Sequence, residues 1–488
     1  MIKPTHLQLH EIKKILADGQ ISPLTLLNEI YQEIDEHQNL NNYVTLTKNL
    51  AFQQAEISYE RIKKGNARPL EGIPIGVKDL YLVKGELATS CSEVLRDFVA
   101  PFESHITKNL WEKSGAICIG KLNMDEFAMG SSNRTSCFGP SINPWSIKNG
   151  KELVPGGSSG GSASAVAAGT CFAALGSDTG GSVRQPASFC GVVGFKPSYG
   201  RCSRRGMIAY ASSFDQAGIL TRSVQDAAIM MDQMIGNDPL DATSAKMPKP
   251  NLENANISMH GKVVGYPANW MTIIDESVVN AWKKALNIFA DLGAKIEPIE
   301  LLNFDSYLSV YYLLTTAEAA SNLARYTGIC YGNKTKEDIG SAYNKTFELF
   351  GEEVKRRIFT GLHDLSSENY NLEYNLGLQT RSYIKRQFTD LFNKIDLIVY
   401  PSSPREAFAL DNVFQNPAES YHEDVFTVLA NLIGSPAISV PIGYGKTGLP
   451  LGIHLMSEPF SEELLISAAK EVEAKADFID FLRSYHDK

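Results

Sequence analysis

The chain has 488 residues, enough to bury a large core as one big domain or two ordinary ones. Its composition, 43% hydrophobic and 21% charged with no biased tract, is that of a soluble globular protein. A net charge of −9, from 46 basic against 55 acidic residues, argues against a broad phosphate-binding surface, so any nucleic acid would be held mostly by a partner.

In chain order, the N-terminus from Met1 to His10 is polar and mixed and carries no signal-peptide pattern. Leu9, Ile12 and Leu16 share one helical face, and Ser22-Pro23 opens a second helix in the cap-then-proline pattern. A third helix runs through Ala55 to Ile62 before a basic turn at Lys63 to Arg68, so residues 1–70 read as a helical segment packed on the core. From Gly72 short apolar strands alternate with Gly and Pro: Ile73–Val77, Ala116–Ile119, Val192–Phe195, Lys262–Tyr266, Leu397–Tyr400, Ala437–Val440 and Leu451–Leu455.

The run Ala163–Leu175 is too short for a bilayer and predicts a buried helix, while Val278–Leu292 and Glu462–Ala474 predict amphipathic ones. Residues 303–395 are mostly helical and suit a cap over a site. Strand–helix alternation predicts an α/β fold, a large sheet covered by helices on both faces, with 71–488 as a single large domain. Seven cysteines, at 91, 118, 137, 171, 190, 202 and 330, form no Cys-x-x-Cys pair, and their odd number fits reduced thiols in a cytoplasm. The nine histidines show no metal-ligand spacing.

Three motifs carry chemistry. Lys78, in Gly76-Val77-Lys78-Asp79, follows an apolar strand pattern, and a lysine there acts as a base only if burial or a neighbouring cation lowers its pKa from ~10.4. Taken alone, it reads more readily as a strand-end lysine reaching for solvent. Ser158 lies in Gly156-Gly157-Ser158-Ser159-Gly160-Gly161, a loop that suits unusual dihedrals and close approach of backbone. Val154-Pro155 before it and a small-residue helix from Ser162 after it argue against a flexible linker. Ser182 closes Gly180-Gly181-Ser182; it offers a hydroxyl nucleophile, and the backbone N–H groups of Thr179, Gly180, Gly181 and Ser182 offer an oxyanion site. That turn alone also reads as a helix cap.

Other motifs fail on their surroundings. Gly157-Ser158-Ser159-Gly160-Gly161 mimics a nucleophile elbow, but the residues before it are polar and end in Pro155 where a hydrophobic strand is needed. Gly115–Lys121 mimics a phosphate loop, but Leu122 replaces the metal-binding Ser or Thr. Gly445-Lys446-Thr447 has Val440 in place of the upstream glycine.

In order and spacing, Lys78, Ser158 and Ser182 resemble the Ser-cis-Ser-Lys triad of the amidase-signature family, and the resemblance covers nearly the whole chain. It implies the amidase-signature fold, a cis bond before Ser158, attack by Ser182 on an amide carbonyl, proton relay through Ser158, and neutral Lys78 as acceptor. Leu122–Ser132, Tyr199–Arg201, Ala211–Gln216, Glu318–Tyr326 and Glu353–Ile358 further resemble the glutaminase subunits of tRNA-dependent amidotransferases. That likeness implies glutamine as substrate, with Arg357, Asp424, Tyr311 and Ser132 binding it. It also implies a B subunit that takes ATP, Mg²⁺ and Glu-tRNA(Gln), a small C subunit that tethers the pair, and no cofactor, metal or membrane for this chain. Asn133-Arg134 replaces a Thr-Glu-like pair and His454 a glutamine, departures that touch the pocket rather than the triad. The alternative is a stand-alone amidase acting on small amides.

Overall fold

Short runs of β-branched and small residues, broken by glycine and proline, build one mixed eleven-stranded sheet among the described residues. The computed structural model describes residues 3–272, 274–331, 338–412, 416–476 and 478–482, so positions 332–337 of the expected cap and 483–488 of the expected large domain lie outside them. The strands are β1 (Tyr43–Leu46), β2 (Pro74–Lys78), β3 (Ile117–Leu122), β4 (Ala173–Asp178), β5 (Val193–Lys196), β6 (Gln216–Thr221), β7 (Val263–Pro267), β8 (Lys295–Ile299), β9 (Leu397–Pro401), β10 (Ala437–Tyr444) and β11 (Pro450–Ser457). Their spatial order is β1-β3-β2-β4-β6-β5-β10-β11-β9-β7-β8. β2 runs parallel to both β3 and β4, whereas β4, β6, β5, β10, β11 and β9 pair antiparallel in turn.

Every residue of β2, β3, β4, β5, β6 and β9 is buried. Successive side chains point to opposite faces, so burial without alternation means helices cover both faces of the sheet, as the sequence predicts. Those helices are α1 (Leu9–Ala17), α2 (Pro23–Glu36), α3 (Lys48–Lys63), the short turns α4 (His105–Lys108) and α5 (Ser146–Asn149), α6 (Gly160–Ala167), α7 (Arg184–Cys190), α8 (Val224–Met234) and α9 (Glu276–Asp291). They continue as α10 (Phe304–Leu323), α11 (Ile339–Leu349), α12 (Glu352–Asp364) and α13 (Asn375–Phe392), then α14 (Val428–Ile433) and α15 (Glu462–Lys475). Ser22 caps α2 as its sequence suggests, accepting from the Thr25 N–H at 3.0 Å.

Two sequence expectations change. The run Ala163–Leu175 is not one helix: α6 ends before Gly169, whose φ is +72°, and the chain re-enters the sheet as β4. β4 is paired on one side by β2 and on the other by β6, and those ladders outweigh the helical preference of its alanines. Nor are the first 70 residues purely helical. β1 pairs with β3 from Tyr43↔Leu122 to Leu46↔Gly120, which stitches this segment into the sheet edge. α1 is fastened too, since the Asp226 carboxylate of α8 accepts from the Leu9 and His10 N–H groups at 3.0 and 2.9 Å.

Candidate active site

Lys78 is the last residue of β2, and Ser177 and Asp178 are the last two of the parallel strand β4. Parallel neighbours deliver their carboxyl ends to the same edge, where α/β sheets place their ligands. There Lys78 Nζ lies 2.8 Å from Ser158 Oγ, 2.7 Å from Ser159 Oγ and 2.9 Å from Ser177 Oγ, with the Ser177 carbonyl at 3.4 Å. The amine is fully buried, and desolvation pulls its pKa down to about 7 against the upward pull of Asp125 and Asp178. Asp79, next in sequence, is engaged elsewhere: its carboxylate takes Lys121 Nζ at 2.9 Å and the Thr89 N–H at 3.0 Å. With that carboxylate engaged, hydroxyls rather than a salt bridge surround the Lys78 amine.

Ser158 follows a cis Gly157–Ser158 peptide bond. A Cβ on Gly157 would lie 2.1 Å from Asp125 Oδ2 and 2.6 Å from the Ser132 nitrogen, so only glycine fits, and Ser132 flanks this loop. Ser182 is nearly buried. Its hydroxyl makes no hydrogen bond to another described residue, so the structure joins Lys78 to Ser158 but not Ser158 Oγ to Ser182 Oγ. What ties the two serine segments is the Ser159 N–H, which donates to the Ser182 carbonyl at 3.2 Å.

The turn carrying Ser182 is rigidly backed. Asp178 pairs with Arg184 through bonds of 3.0 and 2.8 Å, both side chains fully buried, and also accepts from the Val183 N–H at 3.2 Å. Arg184 holds Asp178 well below the usual carboxylate range despite its burial. Thr179 Oγ1 donates to Asp215 at 2.7 Å and Thr427 Oγ1 to the Gly180 carbonyl at 2.6 Å. Among the described residues no hydrogen bond uses the N–H groups of Gly180, Gly181 or Ser182, which leaves these donors for a ligand.

Of the expected binding residues, Tyr311 and Arg357 sit on α10 and α12, and Asp424 ends the 3-10 turn Pro417–Asp424. Tyr311 on α10 lies against Gly180, where a Cβ would stand 2.4 Å from its ring and hydroxyl. Arg357 on α12 is buried, bonded to Glu353 at 2.8 Å and to the Tyr210 hydroxyl at 2.7 Å. The rings of Tyr210, Tyr312 and Tyr421 lie 5.2 to 5.4 Å from its guanidinium carbon. Tyr312 donates its hydroxyl to Asp424 at 2.9 Å, so one tyrosine contacts both the cation and the anion. Desolvation raises Asp424 to about 7, opposed by the Tyr312 bond and by Arg357.

The three departures from the family pattern lie apart from this cluster. Asn133 accepts from the Gly161 N–H at 3.1 Å, at the start of α6. Arg134 donates to the carbonyls of Asn412 and Ala409 at 2.7 and 2.9 Å. His454, fully buried and held well below its ordinary pKa by desolvation, takes Arg184 Nη1 at 2.7 Å and stacks on Tyr400. Ser159, Ser177, Tyr210, Tyr312 and Tyr421 escaped the sequence reading. For Ser159 the signal was adjacency to Ser158; the three tyrosines had none.

No group of three or more His, Cys, Asp or Glu side chains among the described residues is arranged to hold a metal ion, and no described helix is long and apolar enough to cross a membrane. A buried amine among serine hydroxyls lies beside a Gly-Gly-Ser turn whose N–H groups bond to no described residue. The chain belongs to the Amidase family, whose sequence profile matches residues 25–466. It is 44% identical to the A subunit of glutamyl-tRNA(Gln) amidotransferase from Rickettsia bellii over 490 aligned residues, covering 99% of each chain. With the like-named protein of Xanthobacter autotrophicus it shares 43% identity over 98% of each chain. A crystal structure of the A subunit of glutamyl-tRNA(Gln) amidotransferase from Thermotoga maritima superimposes with a TM-score of 0.77 at 32% identity, covering 99% of this chain and 97% of that one. A crystal structure described as an amidase gives 0.81 at 28%, covering 96% and 100%.

Proposed function

We propose that this chain is the glutaminase subunit of a tRNA-dependent amidotransferase of the cytoplasm, releasing ammonia that converts ATP-activated Glu-tRNA(Gln) to Gln-tRNA(Gln). The observation that carries this reading is the buried Arg357–Tyr312–Asp424 cluster beside Tyr311 and the Gly180 turn. A simple amide needs neither fixed charge. Glutamine needs a cation for its α-carboxylate and an anion for its ammonium, and Arg357 and Asp424 supply them. Ser132 and Tyr311 line the approach to the amide.

In the reaction, Ser182 Oγ attacks the side-chain carbonyl and its proton passes through Ser158 to neutral Lys78. The N–H groups from Thr179 to Ser182 stabilise the oxyanion. Lys78 returns the proton through Ser158 to the departing nitrogen, the C–N bond breaks, and ammonia leaves a glutamyl ester on Ser182. Water then adds to that ester, giving its proton to the same relay, and glutamate departs as Ser182 Oγ is reprotonated. A B subunit carries ATP, Mg²⁺ and the charged tRNA, and a C subunit tethers it. The acidic balance of this chain suits that division.

The test is ammonia release from glutamine by the chain alone and by the chain with B and C subunits, Glu-tRNA(Gln) and ATP. Release should rise at least about tenfold in the full mixture. Rapid turnover of unsubstituted amides by the isolated chain, with no preference for glutamine, would instead identify a stand-alone amidase.

The recognition residues have their own signature. Arg357→Met and Asp424→Asn should each raise KM for glutamine by about 100-fold, as loss of a charge-assisted contact predicts, with kcat within a few-fold. Asp424 adds a pH effect. Burial places its titration at about 7, and only its ionised form attracts ammonium, so KM should fall as pH rises from 6 to 8. A pH-independent KM would remove Asp424 from the substrate.

A further inference from the structure

The segment Asn123–Thr135 touches both halves of the site. The Asp125 N–H donates to the Ser158 carbonyl at 3.2 Å, fixing the segment to the relay serine. One residue on, the chain meets the start of α12. The Glu126 carboxylate, 2% exposed, accepts the Gly351 N–H at 2.8 Å with one oxygen and the Ser92 hydroxyl with the other. Gly351 is the N-cap of α12, the helix that carries Arg357, so Glu126 meets the positive end of that helix dipole from outside its sequence. Phe127 adds an apolar hold: its ring lies 5.6 Å from Phe350 and 5.2 Å from Tyr326.

The approach is close. A Cβ on Gly351 would lie 2.3 Å from Glu126 Oε2, although the Gly351 backbone, with φ of −67°, accepts any residue. The glycine is there to admit the carboxylate. Phe127 and Ala128 hold φ of +50° and +62°, conformations that non-glycine residues keep only where surroundings impose them.

We propose that Glu126 is a positioning residue for substrate recognition: by holding the start of α12 against the loop that supports Ser158, it fixes Arg357 at the distance at which glutamine's carboxylate and amide are read together. This rests on the assignment of Arg357 to the α-carboxylate. Asp125 and Glu126 thereby form one strap, the first residue serving the relay loop and the second the recognition helix.

A double-mutant cycle tests it, made in the full complex and read with glutamine and with 4-aminobutanamide, which lacks the α-carboxylate. Glu126→Ala removes the acceptor, and Gly351→Ala displaces it from the other side without touching its charge. Each should raise KM for glutamine about tenfold with kcat within twofold, and each should leave turnover of 4-aminobutanamide unchanged. Because both break one contact, the double variant should be no worse than Glu126→Ala alone. Glu126→Gln, which keeps one acceptor oxygen, should recover most of the affinity.

Unchanged KM in both single variants, or equal losses on both substrates, would overturn the positioning role while the wild-type preference for glutamine stood. A wild type that takes the two substrates alike would overturn the carboxylate assignment itself, and this inference with it.

Discussion

Ser182→Ala should abolish ammonia release from glutamine, lowering kcat by at least about 10⁴-fold, as removal of a covalent nucleophile does in serine hydrolases. Stability and assembly should be untouched. The Ser182 hydroxyl bonds to no other described residue, and the backbone carbonyl that accepts from Ser159 survives the change. A thermal midpoint within about 1 °C of wild type and normal recovery of the complex should accompany the loss, as for substitutions that remove no packing. The complex should still amidate Glu-tRNA(Gln) when ammonium salts replace glutamine, since only the ammonia supply is broken. Near-normal glutamine hydrolysis in this variant would show that another residue attacks.

Replacing Lys78 should be almost as severe, and the manner of failure is informative. Loss of a general base lowers rates by about 10²–10⁴-fold, and Lys78→Ala should fall at the upper end because the amine also holds Ser158, Ser159 and Ser177 in place. Lys78→Arg should fail as completely: it keeps the positive charge, but a guanidinium cannot become neutral in a protein. For the wild type, burial sets the titration at about 7, far below an ordinary lysine. The neutral form is the base, so kcat at saturating glutamine should climb about tenfold per pH unit below 7 and level off above it. Saturation isolates this ionisation, because bound ammonium keeps Asp424 ionised. A kcat that stays flat from pH 5.5 to 8.5 would mean that Lys78 does not take the proton.

Much of this site could be read from the chain because its chemistry depends on local backbone. Glycine runs mark where chain must pass close to other atoms, and the structure confirms the need at Gly157, where Asp125 and Ser132 leave no room for a Cβ. Strands with continuous apolar character, such as β9 and β11, were equally plain. Ala163–Leu175 misled because alanine, glycine and cysteine suit a buried helix and a buried strand alike, and sheet neighbours far along the chain decide between them. β1, β6 and β8 were missed: β1 and β8 are only partly buried, and β6 mixes Gln216 and Thr221 with apolar residues. The partners of Arg357 were beyond reach for a different reason. Tyr210, Tyr312 and Tyr421 meet around it only through packing of segments far apart in sequence, and nothing local distinguishes them from the chain's other tyrosines.

The ladder under Lys78 has a last implication. Val77 pairs with Leu175 on one side and Lys121 on the other, and the β3 ladder skips a residue between Ile75 and Gly76. Consecutive side chains in a strand face opposite layers, so inserting or deleting one residue between Pro74 and Lys78 would swing the amine away from the serines and turn Val77 or Asp79 toward them. The phase of a single short strand thus sets which side chain meets the serines, and turning Asp79 toward them would also break its contacts with Lys121 and Thr89.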